Sequence, residues 1–330
     1  MEEKKEKMIT LDSVSLVMPL FVLKRKEIEG EMRIIEAFDR ILGKREVIKF
    51  DWLKGIKGLK ALVIDWDRER VKFQFSAKIL SKNYFDLINR NNIEQVFDII
   101  NSLNIGIEFY TDRVLEYGEV VNCDFAVNLR VKEPVRKYVF DLFLEASRLT
   151  SNWFVKKYKS DSVVFEEAKK TKPLRAIFYN KYEEMLRKKD TDLGVEKFKS
   201  ILRFEINAKR KKNVRDLAET ESNQILEILN SQANLYLKVF EKLFRGQISL
   251  LLKENVLESL KRGDIRKYYE VKGVISEGKS LEEYKSILLK GGYSESNVRK
   301  IIRDLIRVLE IEPSRNERMK ELYELIKKIA

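Results

Sequence analysis

Two periods of apolar and polar residues divide the chain. Up to about residue 212, short segments alternate with the two-residue period of a half-buried strand. In 71–76, Val71, Phe73 and Phe75 fall on one side and Lys72, Gln74 and Ser76 on the other. Leu62 to Trp66 reads as the preceding partner strand, with Asp67 and Arg68 at the turn. A longer strand is expected over 119–131, a weaker one near 163, and clear ones over 174–179 and 200–207. Between them Ser81 stands where it can cap a helix running to about Leu103, with Tyr84, Leu87, Ile88, Val96, Phe97 and Ile100 on its apolar side. A second helix is expected from Pro134 to Leu149. After about residue 213 the period becomes helical, as in Leu217, Ile225, Ile228, Leu229, Leu235, Val239 and Leu243. Ser280 and Glu283 have capping-box spacing, Gly291-Gly292 ends that helix, and Val298, Ile301, Ile302, Leu305 and Leu309 line the next one before Pro313. The expected architecture is α+β: an antiparallel sheet of palm or RRM-like kind packed with helices over 1–212, then an all-helical domain over 213–330.

The alternation also sorts side chains into faces. In 121–131 the apolar face carries Val121, Cys123, Phe125, Val127, Leu129 and Val131, and the opposite face Asn122, Asp124, Ala126, Asn128 and Arg130. In 200–207, Leu202, Phe204 and Ile206 point inward and leave Arg203, Glu205 and Asn207 on the other side. In 174–179, Leu174, Ala176 and Phe178 share one face and Arg175, Ile177 and Tyr179 the other. If these strands are neighbours, Asp124 and Glu205 meet on one polar face with Tyr179 beside them. Two carboxylates and an amide oxygen suit a hard divalent cation, Mg²⁺ or Mn²⁺. A tyrosine hydroxyl, with an ordinary pKa near 10, becomes a competent nucleophile only beside a cation; a metal or Lys181 would supply that field. The same pattern also describes an ordinary sheet whose polar residues are its wet face.

Composition narrows the chemistry. The 330 residues contain no histidine and one cysteine, Cys123. Histidine-based triads, imidazole-bound metals, structural zinc, disulfide frameworks and iron–sulfur clusters are therefore excluded. Any catalysis runs on carboxylates, tyrosine, hydroxyls and amines. Cys123 belongs to an apolar strand face and reads as core. The net charge is +13, from 66 Lys and Arg against 53 Asp and Glu. Most of it is local, since residues 151–215 hold 19 Lys or Arg and 9 Asp or Glu. A field of that kind attracts polyanions, and Trp153, Phe154, Tyr158, Phe165, Phe178, Tyr179 and Tyr182 are interleaved with it. The candidate nucleic-acid contacts are Arg175, Lys188, Lys189, Arg203, Lys209, Arg210, Lys211 and Lys212. Met1 to Met8 is a charged run without the apolar core of a signal peptide, and no stretch approaches eighteen apolar residues. A cytoplasmic protein without a membrane partner is expected.

Three motifs occur in order: V-N-C-D-F-A-V-N at 121–128, L-R-A-I-F-Y-N-K-Y-E-E at 174–184 and I-L-R-F-E-I-N-A-K at 201–209. The set resembles the trans-acting replication initiators of rolling-circle plasmids. The opening M-I-T-L-D-S-V-S-L at 8–16 is similar to filamentous-phage gene II replication proteins. The resemblance spans roughly residues 8–215. It implies that Tyr179 is the nucleophile, that Asp124 and Glu205 hold the metal, and that Glu184 is the acid following the tyrosine. Lys181 and Lys209 match basic positions that contact phosphate or activate the nucleophile. Asn128 stands where the family often has an aspartate, and Asn122 where it has an arginine. Tyr182 is a second candidate nucleophile.

The function so implied is metal-dependent nicking and strand joining at an origin through a 5′-phosphotyrosine, with no nucleotide cofactor. Partners are then double-stranded origin DNA, single-stranded DNA, a host helicase and polymerase, and, by analogy with the family, a second copy of the chain. The helices after 213 would bind DNA, dimerise or dock the helicase; the pair 280–292 and 296–309, carrying Arg299, Lys300, Arg303 and Arg307, has the form of a helix-turn-helix reader. The other readings are a primase- or polymerase-like palm and a non-catalytic DNA-binding replication or copy-control protein.

Overall fold

The computed structural model describes residues 8–25, 35–39, 43–49, 57–103, 107–146, 153–158, 161–168, 174–244, 281–309 and 313–329. The strands are β1 (Leu11–Pro19), β2 (Leu23–Arg25), β3 (Ile35–Asp39), β4 (Gly43–Lys49), β5 (Leu59–Asp65), β6 (Arg70–Ser76), β7 (Ile107–Phe109), β8 (Glu119–Arg130), β9 (Trp153–Tyr158), β10 (Ser162–Glu167), β11 (Arg175–Asn180) and β12 (Ile201–Ala208). The helices are α1 (Ile93–Ser102), α2 (Thr111–Tyr117), α3 (Val135–Ala146), α4 (Lys181–Lys188), α5 (Lys211–Ala218), α6 (Ile225–Asn230), α7 (Leu235–Phe244), α8 (Leu281–Lys290), α9 (Glu295–Leu309) and α10 (Pro313–Lys328). The fold is α+β. Ten strands form one sheet in the order β3-β4-β5-β6-β1-β8-β12-β11-β10-β9, every pairing antiparallel. β2 and β7 make a separate pair.

One face of the sheet is apolar because every second residue is. Phe178 of β11 stacks on Phe204 of β12 with centroids 4.0 Å apart, and α7 adds Phe240 and Tyr236 against them. On the same face Phe73 and Phe75 of β6 meet Phe109 of β7 and Phe97 of α1. α3 lies over the far end, where Lys157 of β9 sits 5.1 Å from the Phe140 ring. Burying one such aromatic side chain contributes about 1.5–3 kcal/mol. Among the described residues no helix is long and apolar enough to cross a membrane.

The chain divides into two compact units, 1–243 with 324–330, and 244–323. α5, α6 and most of α7 therefore belong to the sheet unit: the change of period near 213 marks the end of the sheet, and the unit runs on to Leu243. In the second unit, α8 ends in a Schellman motif, with Tyr293 N–H donating to Leu288 O and Gly292 N–H to Leu289 O. Gly292 sits at φ +86°, the left-handed region that this motif needs and that glycine adopts without strain. Ser280 of the expected capping box lies outside the described residues.

Two local expectations are corrected. The helix expected from Ser81 to Leu103 is instead a 3₁₀ segment, Ala77–Asp86, broken at Ser81 (φ 52°), followed by α1 from Ile93. The chain cannot run straight there because Ile88 pairs back on Leu11 through two backbone hydrogen bonds of 2.8 and 3.0 Å. Along β8 the inward residue is Val120 and not Val121, because the pairing with β1 slips by one between Ser15 and Leu16. A one-residue slip exchanges the two faces.

Candidate active site

The polar face is assembled by register. Arg175 of β11 is opposite Asn207 of β12, which is opposite Asp124 of β8, which is opposite Ser13 of β1. The next row is Ile177–Glu205–Ala126, and the next Tyr179–Arg203–Asn128. Directly paired residues in an antiparallel sheet share a face, so these side chains gather on one side. α4 begins immediately after β11, with Asn180 as its N-cap accepting from Glu183 N–H at 3.2 Å. That abrupt strand-to-helix change brings Lys181 back beside Tyr179 with no intervening loop.

One of the two readings of this face made it the wet side of an ordinary sheet, and it is not wet. Arg203 is fully buried, and Lys181, Ser13 and Asn207 are nearly so. The cover includes Tyr84 and Phe85 from the 3₁₀ segment. Asn128 donates to Phe85 O at 2.8 Å and accepts from Arg203 Nε at 2.9 Å. Arg203 Nη1 donates to Asp12 Oδ1 at 2.9 Å, and the Tyr84 hydroxyl donates to the same oxygen at 2.8 Å. A bulge between Leu11 and Ser13 turns Asp12 onto this face.

Beside that buried cluster stands the tyrosine. The Tyr179 hydroxyl donates to Glu205 Oε2 at 3.0 Å, and Lys181 Nζ lies 3.5 Å from the same hydroxyl. Lys181 also donates to Glu184 at 2.7 Å, and Lys188 closes on the other Glu184 oxygen. Asn207 Nδ2 donates to both Glu205 Oε1 at 2.8 Å and Asp124 Oδ1 at 2.7 Å. Ser13 donates to Asp124 Oδ2 at 2.7 Å.

The electrostatics follow from the packing. Burial raises the Glu205 pKa, the charges of Asp12 and Asp124 add to it, and the value reaches about 7. Burial likewise raises Asp124. Burial, then the Glu205 charge, holds the Tyr179 hydroxyl well above its ordinary value, so it is a protonated donor at neutral pH. Lys181 is lowered by burial and by Arg203. Burial would raise Asp12, but Arg203 and Lys181 outweigh it and leave the carboxyl at about 2. For Glu184 burial is again outweighed, by Lys181, and its pKa is lowered.

Glu205 therefore makes stability depend on pH. Between about 4.5 and 7 the native state keeps a proton that the unfolded chain has released, so stability falls as pH rises through that window. The fall is on the order of 3 kcal/mol. Glu205→Gln is expected to remove most of this slope, so that thermal unfolding at pH 5 and pH 8 gives nearly equal midpoints. A variant with the parent's slope rules out Glu205 as the source.

Among the described residues no three acidic or cysteine side chains converge as a metal-ligand set. The acids that face one point are Asp124 and Glu205, through the single amide nitrogen of Asn207. Asp124 and Glu205, each raised in pKa by burial and with the Ser13 hydroxyl beside Asp124, are the residues that would hold a hard divalent ion such as magnesium. Asn128 is not part of that pair, since both ends of its amide are engaged by Arg203 and Phe85. Millimolar Mg²⁺ or Mn²⁺ is expected to raise the unfolding midpoint at pH 8 in the parent protein and to do so far less in Asp124→Asn.

The basic residues separate by position. Arg203 is interior, so it holds Asp12 and Asn128 and is not a surface contact for DNA. Lys189, Lys209, Arg210, Lys211 and Lys212 are exposed, with Lys211 paired to Glu119. Lys188 is bound to Glu184, and Arg175 is half-buried 3.5 Å from Glu166. Tyr182 lies beneath Lys199 in a different cleft, of about 640 Å³, bordered by Lys132 and Arg136.

No family model matches the chain. No curated protein matches it either. The solved structures that align with it include a rolling circle replication initiator protein from Geobacillus stearothermophilus, at 11% identity and a TM-score of 0.29, over 64% of this chain and 78% of that one.

Asp12, Ser13 and Tyr84 belong to the site without having been singled out by their spacing. Asn207 and the serines of L-D-S-V-S were visible as polar residues in otherwise apolar strands. Tyr84 looked like one more apolar helix position, and only its buried hydroxyl distinguishes it.

Proposed function

We propose that this chain nicks and rejoins a DNA strand to begin rolling-circle replication, with Tyr179 as nucleophile. The observation that carries the reading is the Tyr179 hydroxyl donating to Glu205, whose pKa is held near 7, with the Lys181 ammonium on the same oxygen. A base with a pKa near neutrality is what general-base catalysis of a phenol needs. The order of the three motifs around Asp124, Tyr179 and Glu205 supports the same reading.

In the forward step Glu205 takes the phenol proton and the Tyr179 oxygen forms a bond to phosphorus. The bond from phosphorus to the 3′ oxygen breaks, and that oxygen takes a proton from water, leaving a 3′ hydroxyl and a 5′-phosphotyrosine. Lys181, tied to Glu184, places positive charge on the attacking oxygen. Asp124 and the Oε1 side of Glu205 would hold Mg²⁺ or Mn²⁺, which would supply positive charge to the phosphate, while Glu205 Oε2 faces the Tyr179 hydroxyl. Strand joining reverses these bonds, so the phosphodiester energy is retained and no nucleotide is consumed. A freed 3′ end would serve a host polymerase, and a host helicase would open the duplex.

The test is capture of the covalent adduct on single-stranded and supercoiled DNA with Mg²⁺ or Mn²⁺. Peptide mapping is expected to find the phosphotyrosine at residue 179. A label at Tyr182, or nicking with no adduct, overturns the assignment. Incorporation of labelled nucleotides would favour a polymerase instead.

A further inference from the structure

β9 is the terminal strand of the large sheet among the described residues, and its two faces differ. Trp153, Val155 and Lys157 are half-buried, with Lys157 over the rings of Phe140 and Phe143 in α3. The alternate residues are Phe154, Lys156 and Tyr158, and all three are exposed, the aromatics by 59% and 52%. Two large aromatic rings flanking a lysine on a sheet edge are an exposed apolar surface with a cation at its centre.

Register says which face this is. Tyr158 pairs with Ser162, which pairs with Tyr179. Lys156 pairs with Val164, then Ile177, then Glu205. Phe154 pairs with Glu166, then Arg175, then Asn207. The exposed triad therefore stands on the same face as Tyr179 and Glu205. Tyr158 is two strand spacings from the Tyr179 row, about 10 Å. At 3.4 Å per nucleotide, that is about three stacked nucleotides. Along β9 the two aromatics are about 13 Å apart with Lys156 midway.

We infer that the outer face of β9 is the docking strip for unpaired DNA next to the scissile phosphate. Phe154 and Tyr158 stack on bases, and Lys156 neutralises a phosphate between them. Two features of the protein select this occupant. The strip is continuous by register with the tyrosine, and it sits in the segment 151–215 that carries most of the chain's positive charge. Stacking tolerates any base, because every base has a π-face. The inference rests on the nicking reading, but binding needs no cleavage.

The full chain is titrated with fluorescein-labelled oligothymidylate in EDTA, read by anisotropy. Phe154→Ala and Tyr158→Ala are each expected to weaken binding by about 5- to 150-fold. Phe154→Tyr and Tyr158→Phe are expected to retain it. Lys156→Ala is expected to lower the salt dependence by about 0.7 in slope. Parental affinity in a correctly folded Phe154→Ala/Tyr158→Ala protein overturns the proposal. So does a change in sedimentation without a change in affinity, which makes the strip a surface between copies of the chain. If binding falls as expected while Tyr179→Phe still nicks, the strip stands and the nucleophile assignment fails. If Tyr179→Phe is inert and the triad is neutral, the strip alone fails.

Discussion

Tyr179→Phe is expected to eliminate the covalent protein–DNA adduct and reduce nicking by at least about 10⁴-fold, because the attacking oxygen is gone. Affinity for the same DNA is expected to stay within about twofold, since the ring and its packing remain. Tyr182→Phe is the matched control and should leave nicking nearly intact. Its ring faces Lys199 in a separate cleft and has no part in the Glu205 contact. The pH dependence is set by the base. Glu205 accepts the phenol proton only when ionised, so the parent's single-turnover rate should rise with pH as Glu205 ionises and then level off. Glu205→Gln should flatten that rise and slow cleavage by about 10²- to 10⁴-fold. A Tyr179→Phe protein that still nicks and still forms adduct would remove Tyr179 from the mechanism.

Arg203→Met is expected to destabilise the sheet unit by about 3–5 kcal/mol, the cost of breaking a buried ion pair from one side. Its guanidinium holds Asp12, Asn128 and the Tyr84 hydroxyl together. Without it the Asp12 carboxylate keeps the Tyr84 hydrogen bond and the more distant charges of Lys181 and Lys60. Asp12 now lies at about 2, below its unfolded value of 3.8, so its contribution is present above pH 3.8 and lost as pH falls through 2. In Arg203→Met that acid limb should vanish, and Asp12 should take up a proton at higher pH. Arg203→Met/Asp12→Asn should recover part of the loss, because the uncompensated charge goes with the second change. Urea unfolding of the two single variants and the double variant measures this coupling. Additive losses would mean that Arg203 acts through packing alone.

Five strands of the large sheet were legible from a two-residue period and β10 more weakly, whereas β1, β3, β4 and β9 were not singled out. The strands β5, β6, β8, β11 and β12 follow directly from that period. Two further departures came where a distant contact changed the phase. The slip opposite Ser15 and Leu16 exchanged Val121 for Val120, and the return of Ile88 to Leu11 broke a helical pattern into a 3₁₀ segment and a shorter helix. Neither event leaves a local trace, since each depends on a strand paired more than seventy residues away in the chain.

For the site, sequence by itself determined the chemistry available: no imidazole, one cysteine, and polar residues Asp124, Arg203, Glu205, Asn207 and Tyr179 on one face of their strands. It also determined that the positive charge is concentrated in 151–215. Only the tertiary structure decided that this face is covered rather than wet. Tyr84 and Phe85 close over Arg203, the bulge at Asp12 brings in a third carboxylate, and α4 returns Lys181 to the Tyr179 hydroxyl. Side-chain period states which residues share a face, whereas burial depends on what packs against that face. A carboxylate such as Glu205 reaches a pKa near 7 only once water has been removed from around it and other negative charges have been brought near.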